Sequence, residues 1–173
     1  MNALTTSQGG NFNLVTLDGQ TLPVETAPVS APSVVPTLDR QFDDSVEQVC
    51  TAGETTGVCQ VTWHPTVSPS ALLTITGWCT NDSGEEATTV AVGWSTGTAP
   101  GTVAYSQAAI PVAAGATVSF ALTVITDQAG SGPEFPLNED TLVNAVLIVG
   151  SGAAVDVSTA GVQLTVVEML DGS

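Results

Sequence analysis

The chain has 173 residues, with one Arg, no Lys, one His and 17 acidic residues, for a formal net charge of −16. With a single cation to set against phosphate, it is a poor partner for nucleic acid or anionic membranes and a poor candidate for phosphate-handling chemistry. A hydrophobic content of 43% argues against a disordered acidic tail, and the length suits one domain with an appended arm.

Residues 1–40 differ in character from the remainder of the chain. Four prolines (Pro23, Pro28, Pro32 and Pro36) recur every four or five residues among short apolar pieces such as Leu14-Val15-Thr16-Leu17. Each proline lacks a backbone donor, so the segment suits neither helix nor central strand. It is expected to be an extended arm with polyproline II character, anchored on another surface by Phe12, Leu14, Leu17, Leu22 and Val24. Met1 to Ser7 has no cationic start and no apolar core, so no export signal is expected there. Arg40, the lone fixed cation, stands between Asp39 and Asp43-Asp44 and is expected to make an ion pair at the arm–domain junction.

From residue 41 to 173 the dominant period is two. Ser45-Cys50 and Val58-Trp63 are expected to pair as a hairpin around the intervening loop. Leu72-Thr80 alternates and runs into the turn Asn81-Asp82-Ser83-Gly84, and Thr88-Ser95 comes next with Val90, Val92 and Trp94 on one face. Thr102-Gln107 and Thr117-Thr126 are further strands, the second with Val118, Phe120, Leu122 and Val124 in phase. After a long loop over 127–140, Leu142-Val149 is apolar on both faces, as in a strand central to a sandwich, and Asn144 within it needs a partner if buried. Ala153-Ser158 reads as a weak strand and Val162-Leu170 as a last one. No window has helical periodicity. The fold expected is all-β: a single antiparallel β-sandwich over 41–173, immunoglobulin-like or jelly-roll, with the Pro-rich arm before it.

Cys50 and Cys59 stand at mirrored places about the turn-like 51–58 insert, which suits a disulfide across the base of a hairpin and an oxidising setting; two reduced thiols in strands are the alternative. Cys79 is then a buried thiol. Three cysteines and His64 contain no CxxC pair, so no zinc site is expected. The turn carboxylates of 81–86 and 138–140 offer oxygen ligands but match no EF-hand loop, and no metal or cofactor is expected. One His, one Arg and no GxSxG leave little from which to build an active site, so no enzyme is expected. Trp78 and Trp94 alternate with strand residues and are expected to be core. The lack of Lys reads either as adaptation to high salt or as a surface of Thr, Ser and Gly that carries little charge.

The segment 72–126 resembles the immunoglobulin-like domains of bacterial and archaeal surface proteins and of phage virion proteins. The resemblance rests on Thr80-Asn81-Asp82-Ser83-Gly84, on Thr88-Thr89-Val90-Ala91-Val92, and on Ile110 to Phe120. It departs from antibody domains, since no Cys…Trp…Cys spacing joins opposite sheets. The resemblance implies a non-enzymatic structural protein on the outer surface of a virion, a capsid decoration or accessory protein of a tailed phage or archaeal virus. Its expected partners are itself, as a homo-oligomer, and a major capsid protein. A single-jelly-roll capsid protein and an extracellular surface or pilus module that donates a strand are the rivals.

Overall fold

The computed structural model describes the backbone of Ala3–Thr6, Phe12–Val15, Thr21–Leu22 and Leu38–Asp43, and describes 48–169 with side chains apart from Ala99 and 127–130. Two compact units divide the chain, Met1–Val35 and Pro36–Ser173. In the first, β1 (Ala3–Thr6) pairs antiparallel with β2 (Phe12–Val15), and β2 with β3 (Thr21–Leu22), so that Leu14 stands across from Leu4 on one side and Leu22 on the other. The segment read as an arm thus contains strand pairing of its own, and its last residues, from Leu38, belong to the second unit's sheet.

The second unit contains β4 (Leu38–Asp43), β5 (Gln48–Cys50), β6 (Thr55–Trp63), β7 (Ala71–Asn81), β8 (Thr88–Thr96), β9 (Val103–Ser106), β10 (Ile110–Val112), β11 (Thr117–Ile125), β12 (Thr141–Val149) and β13 (Val157–Glu168). They form two antiparallel sheets. The first runs β11-β7-β13, with β4 and β5 both paired to the far side of β13; the second runs β10-β8-β12-β6, with β9 beside β10 on the free side of β8. Counted as one interrupted strand each, β4/β5 and β9/β10 make eight strands that visit the sheets in the order first, second, first, second, second, first, second, first. That is jelly-roll connectivity, and it separates the two sandwich topologies that strand periodicity left open.

Connectivity also corrects the hairpin expected around the cysteine loop. β5 pairs with β13 and β6 with β12, so the chain crosses from one sheet to the other at 51–54. Cys50 lies opposite Val157 in the first sheet, Cys59 opposite Ala145 in the second, and both remain buried thiols, as does Cys79. The hairpin base that the disulfide was to close does not form. A second correction concerns the C-terminal strands. Of the weak strand read over Ala153–Ser158 only Val157 and Ser158 are strand; they and Val162–Glu168 belong to the single β13, whose register slips between Ala160 and Gln163. Gly161, at φ 59, supplies the left-handed residue of this bulge, and the strand continues past it.

Inward residues of the two sheets interleave to make the core: Leu73, Ile75, Leu164 and Val166 from the first, Val90, Val92, Val143 and Leu147 from the second. Trp94 is fully buried, donates its indole N–H to the Ser131 carbonyl at 3.1 Å, and packs on Phe135 with ring centroids 5.8 Å apart. Gly132 makes room for it, since a Cβ there would collide with the indole. Burying such a ring is worth on the order of 5 kcal/mol, which fixes the β11–β12 loop against that end of the sandwich.

Candidate functional site

Charge is distributed by element. In β5 through β13 the sole charged residue is Glu168; β4 carries Asp39, Arg40 and Asp43, and the other acids described with side chains (Glu54, Asp82, Glu85, Glu86, Glu134, Glu139, Asp140 and Asp156) lie in loops. Loops alternate between the two ends of the sandwich, so both ends are acidic, and the charge within the strands is confined to β4 and Glu168.

The outer face of the first sheet is built from alternate residues of three strands. β7 contributes Leu72, Thr74, Thr76, Trp78 and Thr80; β11 contributes Thr117, Ser119, Ala121, Thr123 and Ile125; β13 contributes Ser158, Ala160, Gln163, Thr165 and Val167. None is charged. Trp78, on the middle strand, is 53% exposed, with Ser119 opposite on one side and Ala160 on the other. Its ring lies over Gly161, where a Cβ would stand 2.7 Å from Cζ3, so the bulge in β13 is also the seat of the indole. Val49 of β5, across from Ser158, is 56% exposed on the same side. The expectation that Trp78 is core is thereby corrected, while Trp94 does lie in the core. Trp78 shares its strand phase with threonines and Trp94 shares its phase with valines, and that company was the readable signal.

The outer face of the second sheet is covered by the chain itself around Asn144, while Thr62 and Thr89 on the same face stay exposed. Asn144 is buried there, accepts a hydrogen bond from Gln60 Nε2 at 2.6 Å, and donates from Nδ2 to the Gly97 carbonyl at 3.0 Å. The partners that this buried amide needed are therefore present. The β8–β9 loop that supplies Gly97 also brings Pro100 to 3.8 Å from the Cβ position of Gly57, and beneath it Val146 and Ser95 are fully buried although they point away from the core.

Glu168 ends β13 as a clasp. Its carboxylate accepts the N–H groups of Thr66, Val67 and Ser68 at 2.7, 2.6 and 2.8 Å, and the Thr66 hydroxyl at 3.1 Å. Burial pushes the carboxyl pKa up, but these donors outweigh it and hold the group below the ordinary glutamate value. The clasp fixes the β6–β7 crossover. Beside it, His64 Nδ1 meets Asp140 Oδ1 at 2.8 Å on the surface. Burial raises the Cys50 and Cys79 thiols to about 11, offset in part at Cys50 by a Thr56 hydrogen bond, so both favour the protonated form near neutral pH.

Of the residues singled out from the sequence, Phe12, Leu14 and Leu22 are placed in β2 and β3 by backbone, and Arg40 stands across from Thr165 at the margin of the first sheet. Their side chains, and Leu17 and Val24 altogether, lie outside the described residues. The 81–86 turn is held together by its own bonds: Asn81 Oδ1 accepts from Ser83 N, Asn81 Nδ2 donates to the Glu86 carbonyl, and Asp82 accepts from Ser158. No group of three His, Cys, Asp or Glu poised for a metal occurs among the described residues. A shallow recess of about 430 Å³ beside Thr88, Pro111 and Gly150 is likewise without charge.

The chain matches no family model and no curated protein. Among solved structures it is similar to a chain in the structure of infectious bursal disease virus, Gx strain, at 11% identity and a TM-score of 0.46, covering 80% of this chain and 38% of that one. It is also similar to the C-terminal domain of EclA, a sugar-binding protein, at 11% identity and a TM-score of 0.37, covering 70% of this chain and 80% of that one. These are likenesses of shape alone.

Proposed function

We propose that this chain is a non-enzymatic structural protein of a virus particle, a capsid decoration or accessory protein of a tailed phage or archaeal virus on the particle's outer surface. The observation that carries the reading is the jelly-roll strand order, an architecture used for viral capsid and lectin domains. Support at the level of fold is analogy, and the charge pattern adds to it. Acids gathered at the two ends of the sandwich keep a crowded surface soluble by mutual repulsion. The N-terminal residues, with Phe12, Leu14 and Leu22 in short strands, are the part we assign to contacts with the shell.

The same strand order favours a second reading, a shell-forming single-jelly-roll subunit. The net charge of −16 weighs against a face turned towards packaged nucleic acid. Immunogold labelling of intact particles from the producing culture, with antibody against the full chain, separates these. Dense labelling that is lost when the particles are washed free of the protein, with the shell left whole, is the expected result. A shell that cannot be separated from the protein favours the second reading. Absence of the chain from particle fractions overturns both.

A further inference from the structure

We infer that β11, the outer strand of the first sheet, pairs antiparallel with β11 of a second copy of this chain, so that the sheet continues through a two-fold axis at Ala121. The inference stands on strand geometry and does not depend on the virion reading. A sheet edge presents unpaired N–H and C=O groups and invites another strand unless charge, proline, a bulge or a break blunts it. The sandwich has four edges, and three are blunted. β4/β5 carries Asp39, Arg40 and Asp43. β9/β10 is broken over 107–109 and contains Pro111. β6 has Gly57 beside a register shift against β12. β11 has none of these devices. Its nine residues pair with β7 in unbroken register from Thr117 to Ile125, no described strand lies on its other side, and Thr117, Ser119, Ala121 and Thr123 are exposed.

The strand is also its own complement. About Ala121 it reads nearly alike in both directions: Val118 answers Val124, Ser119 answers Thr123, and Phe120 answers Leu122. An antiparallel copy in that register pairs all nine residues. On the core side valine meets valine and phenylalanine meets leucine, while on the outer side serine meets threonine; all are favourable cross-strand neighbours. Residues that turn their backbone groups away from β7 meet the same residues of the copy, and a slip of one residue would set inward side chains against outward ones. Charge permits the approach. No residue from Ala87 to Thr126 is charged, so β8 to β11 bring no charge to the contact, and the charges of β4 lie at the opposite margin of the sheet. Acids stand only beyond the ends of β11: Asp82, Glu85 and Glu86 past Thr117, and Asp127 in the sequence after Thr126. Pairing uses up the open edge of each molecule, so assembly closes at two.

The test uses the full chain. Sedimentation equilibrium is expected to show a dimer at about 1 M salt and weaker association at about 0.1 M, where the Debye length of about 10 Å lets the acidic ends repel. Ala121→Asp and Ala121→Lys are each expected to weaken association about 10-fold, because either sets like charges opposite each other at the axis, while the melting temperature of the dilute chain holds. The lysine variant lowers the net charge, so relief of general repulsion would give the opposite sign. On oxidation Ala121→Cys is expected to cross-link, its Cα lying about 5 Å from its image, and Thr117→Cys, about 27 Å from its own, is not. A monomer up to about 100 µM overturns the inference, as does a dimer that tolerates either charge or cross-links through position 117 as readily as through 121. Slow exchange of every amide over 117–125 in the monomer means that the chain's own residues cover the edge, and overturns it too. A dimer that is absent from particles leaves this inference standing and removes the virion reading; a monomer found on particles does the reverse.

Discussion

The two sheets of this sandwich have the same kind of inner face and different outer ones. Over the second sheet the chain folds its own β8–β9 loop, satisfies Asn144 from two directions, and buries Val146 completely. Over the first, Thr, Ser and Ala stand in solvent around a half-exposed tryptophan. Apart from β4, which carries Asp39, Arg40 and Asp43, the strands put no charge on either outer face, so what distinguishes the two is coverage: a loop of the chain lies over the middle of one, and Trp78 stays half exposed on the other.

The contrast is broken most forcefully by placing the same charge on both faces. Val146→Asp puts an unpaired carboxylate under the β8–β9 loop and is expected to cost at least about 4 kcal/mol, enough to unfold a marginal domain. Thermal or urea unfolding that shows less would mean the loop is a loose cover. Next in size is Glu168→Ala, which strips three backbone N–H groups of their acceptor and is expected to cost about 2–3 kcal/mol. The same clasp predicts an acid limb. Because the folded carboxyl pKa lies below the ordinary value of about 4.3, its contribution is complete above that unfolded value and is lost as pH falls through the folded one; Glu168→Gln should flatten that limb in a urea titration across pH. Asn144→Ala is expected to cost about 1–2 kcal/mol, because Gln60 and the Gly97 carbonyl lose their partner. Smallest of all, Ala121→Asp on the open face is expected to shift stability by no more than about 0.5 kcal/mol, which circular dichroism melts would register as no change.

Much of the fold was legible in the sequence because strands announce themselves locally. The period of two and the Gly, Asn-Asp and Pro turns place β7, β8, β11 and β12 within a residue or two. What was not legible is which strand pairs with which. The link over 51–54 serves a hairpin and a sheet-to-sheet crossover equally well, and in this topology the crossover wins because β13 and β12, far along the chain, supply the partners. The gap left between strands ending at Ser158 and starting at Val162 is likewise continuous strand, carried past Gly161 by a bulge that seats Trp78. The candidate face was half visible. Alternation puts Trp78 with Thr74, Thr76 and Thr80, company that marks an outward phase, yet nothing in a single strand says which other strands lie beside it until the pairing with β11 and β13 is in place.

The gathering of loop acids at the two ends also has a kinetic side. At physiological ionic strength the field of an exposed carboxylate reaches about 8 Å before it is screened. Two of these molecules drifting together end-on meet that field before they touch, so such collisions are turned away before any contact is made, by Glu54, Asp82, Glu85, Glu86 and Asp156 at one end and Glu134, Glu139 and Asp140 at the other.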